Sequence, residues 1–162
     1  MVALLNLTAA ALAATTFSIL DHNQNLALDL VNSGCTDYTS VQQFGRGPVT
    51  AQEWNFNLAG PGLNQFQVTN VGCGTTLTYA GSATGANNIR SPIVNIAGSG
   101  TTWFVTPTDA NNPNGALRFI ESASGLALTA WAVDSVENTA PLTLEPNRIQ
   151  DVRQNFFLAQ PL

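Results

Sequence analysis

Phe17-Ser18-Ile19-Leu20 begins, and Trp54 ends, a stretch whose pattern returns twice more in the 162 residues of the chain. Phe66-Gln67-Val68-Thr69 leads on to Trp103, and Phe119-Ile120-Glu121 leads on to Phe156. In all three the opening Phe and the closing ring are 37 positions apart, and both ends advance by 49 and then by 53 residues. A chance hydrophobic pattern does not hold one register three times. Self-similarity of this kind is the mark of a fold built by repetition.

Each unit carries two further apolar segments between its opening strand and its closing ring. The second is Leu26-Ala27-Leu28-Asp29-Leu30, then Thr76-Leu77-Thr78-Tyr79, then Leu126-Ala127-Leu128-Thr129. The third is Val41-Gln42-Gln43-Phe44, then Ile93-Val94-Asn95-Ile96, then Leu142-Thr143-Leu144. Short alternating runs broken by Gly, Asn and Pro predict strands and turns, and no window after Ala14 sustains a helical period. Gly45-Arg46-Gly47-Pro48 and Asn112-Pro113-Asn114-Gly115 are two such breaks. Four strands per unit in three units predict an all-β chain, a β-trefoil of three pseudo-symmetric four-stranded repeats. The repeats fall at about 17–60, 61–110 and 111–162, in a single domain over 14–162. Trp54, Trp103 and Phe156 are then core residues about one axis.

Composition narrows the function. Only 9% of residues are charged, against about 25% in an average domain. Polarity comes instead from 53 Asn, Gln, Ser and Thr residues, which hydrogen-bond well to neutral polar ligands and repel little. There is no Lys, the five cations are Arg46, Arg90, Arg118, Arg148 and Arg153, and the net charge is −5. The basic patch that nucleic acid or an anionic membrane requires is missing.

Residues 1–13 are nearly all small or apolar, and Ala11-Leu12-Ala13 has the small-x-small form that signal peptidase cleaves after. The run is too short to span a bilayer. A signal peptide and a secreted, extracellular protein are therefore expected. Cys35 and Cys73 fit one disulfide in such a protein, or equally two buried thiols.

Gln52-Glu53-Trp54 resembles the Q-x-W signature of the ricin-B-like (R-type) lectins, small fungal type. Gln154-Asn155-Phe156 is similar with Phe for Trp, and Thr101-Thr102-Trp103 keeps only the ring. Leu26-Ala27-Leu28-Asp29-Leu30 and Ser40-Val41-Gln42-Gln43-Phe44 resemble the second and third strands of that family, so that the likeness covers about residues 17 to 160. The resemblance implies a non-catalytic carbohydrate-binding protein with a shallow niche in which an Asp accepts vicinal hydroxyls, an aromatic ring stacks on the sugar, and amides complete the bonds. In repeat one Asp29 takes the acid place, Gln42 the amide place and Phe44 the aromatic place, with Gln52 behind Asp29. Ala51 stands where the family has Asn, which removes one amide from the set.

Thr78 and Thr129 replace the acid in the other repeats, with Val94 and Thr143 near the amide place, so at most one family-type sugar site is expected. Trp131 is the alternative stacking residue. His22, the one histidine, lies in the turn Asp21-His22-Asn23-Gln24-Asn25 and is not expected to be catalytic. No zinc spacing appears, and Asp109 to Gly115 departs from a calcium loop at Pro113, so neither metal nor cofactor is expected. The expected partners are glycans or glycoproteins. Two alternatives remain: a β-trefoil protease inhibitor acting through an exposed loop such as Asn32 to Thr39 or Ala132 to Thr139, and an accessory trefoil that has lost sugar binding.

Overall fold

Alternation of apolar and polar residues becomes alternation of inward and outward side chains along the strands. In β5 (Gln65–Asn70) Phe66, Val68 and Asn70 are buried while Gln65, Gln67 and Thr69 are partly exposed. β11 (Thr139–Pro146) buries Ala140, Leu142 and Leu144 in the same way. A computed structural model describes residues 15–62, 64–79, 94–96 (backbone only), 100–112, 114–132 and 139–162. The expected leader, residues 1–13, lies outside the described residues, as do 133–138 of the candidate inhibitory loop.

The described residues form twelve strands in antiparallel ladders and three single turns of 3-10 helix. Besides β5 and β11 these are β1 (Thr16–Leu20), β2 (Leu26–Leu30), β3 (Thr39–Gly45), β4 (Trp54–Leu58), β6 (Thr76–Thr78) and β7 (Val94–Ile96), followed by β8 (Trp103–Pro107), β9 (Leu117–Glu121), β10 (Leu126–Ala130) and β12 (Phe157–Ala159). β1, β4, β5, β8 and β9 pair in that order. Phe156 bridges to Leu117 of β9 and β12 pairs with β1, which returns the ladder to its start. The hairpins β2–β3, β6–β7 and β10–β11 lie between successive strands of this ring, and β3 pairs with both β7 and β11.

Inside the ring is an aromatic core. Phe17, Phe56 and Phe66 meet edge to face at 5.9 Å, Phe119 lies 6.0 Å from Phe56, and Phe156 lies 5.7 Å from Phe119. Trp54 and Trp103 are fully buried in the same cluster. Their indole N–H groups donate to Leu28 O and to Leu77 O, each at 3.1 Å across 26 residues. Burying rings of this size contributes about 1.5–3 kcal/mol each.

Turn chemistry sets the hairpin ends. Asp21 accepts from the backbone N–H of Asn23, Asn25 and Leu26, and Glu121 from those of Ala123 and Ser124. Gly74 and Gly125 take positive φ just before β6 and β10, where only glycine is unstrained. Of the two alternatives left open for the cysteines, the structure has the disulfide: Cys35 and Cys73 are bonded, with Cα atoms 5.1 Å apart. The bond ties the approach to β3 onto the β5–β6 turn.

Candidate functional site

Asp29 lies on β2 directly opposite Gln42 of β3. It is 7% exposed, and each carboxylate oxygen is held by an amide. Gln42 Nε2 donates to Oδ1 at 3.1 Å, and Gln52 Nε2 donates to Oδ2 at 3.1 Å. Gln52 is only 1% exposed; its Nε2 also donates to Gly45 O at 3.0 Å, and its Oε1 accepts from Gly47 N at 2.8 Å. Gln52 therefore sits behind the acid and orients it, closing the Gly45–Gly47 turn as it does so. Phe44, two residues beyond Gln42, shares its face of β3 and is 38% exposed. Pro141 pairs with Gln42 and Thr139 with Phe44 from the neighbouring β11. Ala51 is buried, and offers no polar side chain where the family resemblance has Asn.

A carboxylate has about four acceptor positions, and two of Asp29's are taken by the amides. The remainder suit hydroxyl donors, while the half-exposed Phe44 offers an apolar face to a ring's C–H groups. Asp29, Gln42, Phe44 and Gln52 thus lie together as the family resemblance implies, with Gln42 and Phe44 at the rim, Asp29 buried beside them and Gln52 behind it.

The equivalent ladder places differ. Thr78 pairs with Val94 and Thr129 with Thr143, the register in which Asp29 pairs with Gln42. Each threonine is buried and donates its hydroxyl to a backbone carbonyl two residues back, Thr76 O at 2.9 Å and Ala127 O at 3.0 Å. Gln154 repeats the part of Gln52: it donates to Pro146 O at 2.9 Å and Thr129 Oγ1 at 3.2 Å and accepts from Arg148 N at 2.9 Å. Holding this turn is thus common to both glutamines, and only Gln52 has an acid to steer.

Trp131 is already occupied by the protein itself. The Arg153 guanidinium lies 4.4 Å above its ring, and the indole N–H donates to Thr143 Oγ1 at 2.7 Å. Arg153 in turn grips Asp151 through Nε at 2.9 Å and Nη2 at 2.7 Å. The bonded guanidinium draws the Asp151 carboxyl below its ordinary pKa, and the carboxylate raises that of Arg153. A cavity of about 120 Å³ remains among Trp131, Glu145, Pro146, Arg148, Asp151 and Arg153. A broader hollow of about 730 Å³ lies over Asn147 to Asp151, with none of the candidate sugar-site residues and no aromatic ring among its lining residues.

Two residues escaped the sequence reading. Arg118 is buried and reaches Asn147 Oδ1 at 3.3 Å, Ile149 O at 2.9 Å and Asn155 Oδ1 at 3.3 Å, so it anchors the 147–155 loop. Desolvation lowers its pKa, opposed by the nearby Asp151 carboxylate. Tyr38 stands exposed just ahead of β3. His22 lies in the β1–β2 turn, 4.0 Å from the Asp21 carboxylate that the turn's own N–H groups occupy. Among the described residues no three His, Cys, Asp or Glu side chains gather as for a metal ion, and no helix is long and apolar enough to cross a membrane.

No protein-family model matches the sequence, and neither does any curated protein. Solved structures do match. The Rhizoctonia solani agglutinin superposes with a TM-score of 0.73 at 17% identity, covering 91% of this chain and 95% of that one. The Macrolepiota procera ricin B-like lectin, solved in complex with lactose, gives 0.72 at 17% identity, covering 92% and 97%. A designed threefold-symmetric protein, ThreeFoil, gives 0.72 at 17% identity, covering 90% and 98%. The chain shares the fold of these proteins over about nine tenths of its length and resembles the fungal ricin B-like lectins among them.

Proposed function

We propose that the protein is a secreted, non-catalytic carbohydrate-binding β-trefoil of three pseudo-symmetric repeats, with one family-type sugar site in repeat one. The observation that carries this reading is Asp29, held at both oxygens by Gln42 and Gln52 beside the half-exposed Phe44 ring. An acid fixed by two amides does not reorganise when a diol binds, so its remaining acceptor positions are aimed before the ligand arrives. The recurrence of the Trp54 and Trp103 indole bonds, and of the Gln52 and Gln154 turn bonds, supports the repeat organisation. Solved relatives in fold include a lectin in complex with lactose, which makes lactose the first ligand to try.

In this reading residues 1–13 are a removed leader and residues 14–162 one domain. The Cys35–Cys73 disulfide supports an oxidising compartment. The partners are glycans or glycoproteins, without nucleic acid, membrane insertion, metal or cofactor. A glycan array followed by titration calorimetry tests the function: wild type binds a defined glycan, and Asp29→Ala loses it while Thr78→Ala and Thr129→Ala keep it. A protein that binds no glycan but inhibits a protease would replace this reading with the inhibitor alternative. Intact-mass analysis of native protein tests the leader, and retention of Met1 would overturn it.

A further inference from the structure

β3 turns its even-numbered side chains to solvent: Ser40 and Phe44 are exposed and Gln42 is half-buried, whereas Val41 and Gln43 are buried. One step ahead of the strand stands Tyr38, 68% exposed. Tyr38 and Phe44 are the only large aromatic side chains exposed among the described residues, and both belong to this strand or its approach.

Tyr38 is held there against its own preference. Its φ is +66°, a left-handed conformation unfavourable for any side chain but glycine. Asn32 and Ser33, in the same connection, also have positive φ. The surrounding bonds enforce the geometry: Thr39 N donates to Thr36 O at 3.1 Å, Thr39 Oγ1 donates to the same oxygen at 2.7 Å, and Cys35 is bonded to Cys73. Strain of this sort, where it is over-determined by its surroundings, concentrates at ligand clamps. Here it delivers no ring to the core, because Tyr38 points out.

Resting on the repeat-one reading, we propose that Tyr38 is the far platform of an extended site that takes an oligosaccharide rather than a single sugar. One ring of the ligand sits at Asp29, Gln42 and Phe44, and the chain runs past Ser40 to stack a later ring on Tyr38. Gln42 lies four positions after Tyr38, which precedes β3 in a left-handed conformation, so the span is at most about 13 Å, within the reach of a short oligomer. Aromatic rings suit both ends because each presents a flat apolar face to sugar C–H groups at little conformational cost.

The test compares ligand lengths by calorimetry, using galactose, lactose and lacto-N-neotetraose in one series and N-acetylglucosamine, chitobiose and chitotetraose in the other. Wild type should bind the tetrasaccharide of one series more tightly than its monosaccharide. Tyr38→Gly should lose about tenfold on that tetrasaccharide and leave the monosaccharide unchanged. Its thermal midpoint should stay level or rise, because glycine relieves the positive φ. Tyr38→Phe should bind as wild type, since the ring and not the hydroxyl does the stacking. Equal affinity for short and long members, or a Tyr38→Gly protein that binds the tetrasaccharide normally or melts earlier, would overturn the extended site alone. Binding of neither series, nor of any glycan on the array, would remove the repeat-one site and this extension together.

Discussion

Replacing Gln52 and replacing Asp29 probe different links, because both side chains are buried but Asp29 lies beside the partly exposed Gln42 and Phe44, whereas Gln52 lies behind it. Gln52→Ala strips Gly45 O, Gly47 N and Asp29 Oδ2 of one partner each. Urea unfolding should show a loss of about 1–3 kcal/mol, the range for leaving buried polar groups unpaired. Asp29→Ala removes instead the acceptor for ligand hydroxyls. Titration should show an affinity loss of about 2–3 kcal/mol, roughly 30- to 150-fold, in a protein whose circular dichroism is unchanged. Asp29, Gln42, Phe44 and Gln52 were legible through the family resemblance; the β2–β3 ladder accounts for the first three, and Gln52 comes from the turn before β4. Tyr38 was not legible. A positive φ on tyrosine is imposed by the bonds of a surrounding turn, and nothing in its own residue type or alternation announces it.

At the scale of elements, the 147–155 loop is fastened by charged groups, Arg118 from beneath and the Asp151–Arg153 pair at its end. The strand pattern places Arg118 between Leu117 and Phe119, where alternation turns it outward, yet the loop folds across it. That burial depends on a segment some thirty residues away and has no local signal. The same is true of the disulfide, which needs two turns to meet. Reducing Cys35–Cys73 should lower stability by about 4 kcal/mol on the loop-entropy account for its separation of 38 residues, and calorimetric melting with and without a reductant measures it. Acid tests the loop. Because Asp151 has a lowered pKa in the fold, its contribution is full above the ordinary carboxylate value and is lost as the pH falls through the lower folded-state value. Arg153, its pKa raised, stays charged throughout and should shift from Trp131 once Asp151 takes up its proton and loosens its grip on the guanidinium. Tryptophan fluorescence should therefore change below about pH 4. Trp131→Phe should lack the change, and Asp151→Asn should show it already at neutral pH.

For the whole molecule the question is what closes it. Repetition at 37-residue register was visible in the sequence because each unit keeps its opening Phe and closing ring, and the structure puts all six of these residues in one cluster. Closure itself is carried by the last residues of the chain. β12 pairs with β1 through Ser18 with Ala159, Ile19 with Leu158 and Leu20 with Phe157, and Phe156 bridges to Leu117. A ring opened at this seam would expose two unpaired strand edges and the aromatic core behind them. Phe156 is fully buried against Phe119, and losing such a ring alone removes about 3–5 kcal/mol. Added to the lost ladder bonds, that is comparable with the entire stability of an ordinary domain, about 5–15 kcal/mol. Ending the chain at Asn155 should thus abolish cooperative unfolding in urea and leave a species that binds hydrophobic dyes. Ending it at Gln160 removes only Pro161 and the exposed Leu162, and keeps Gln160 O as the acceptor for Arg46 Nη2. That shorter truncation should melt within about 0.5 kcal/mol of the full chain, the usual range for surface changes. A protein ending at Asn155 that still unfolds cooperatively would show that the ring closes without its final strand.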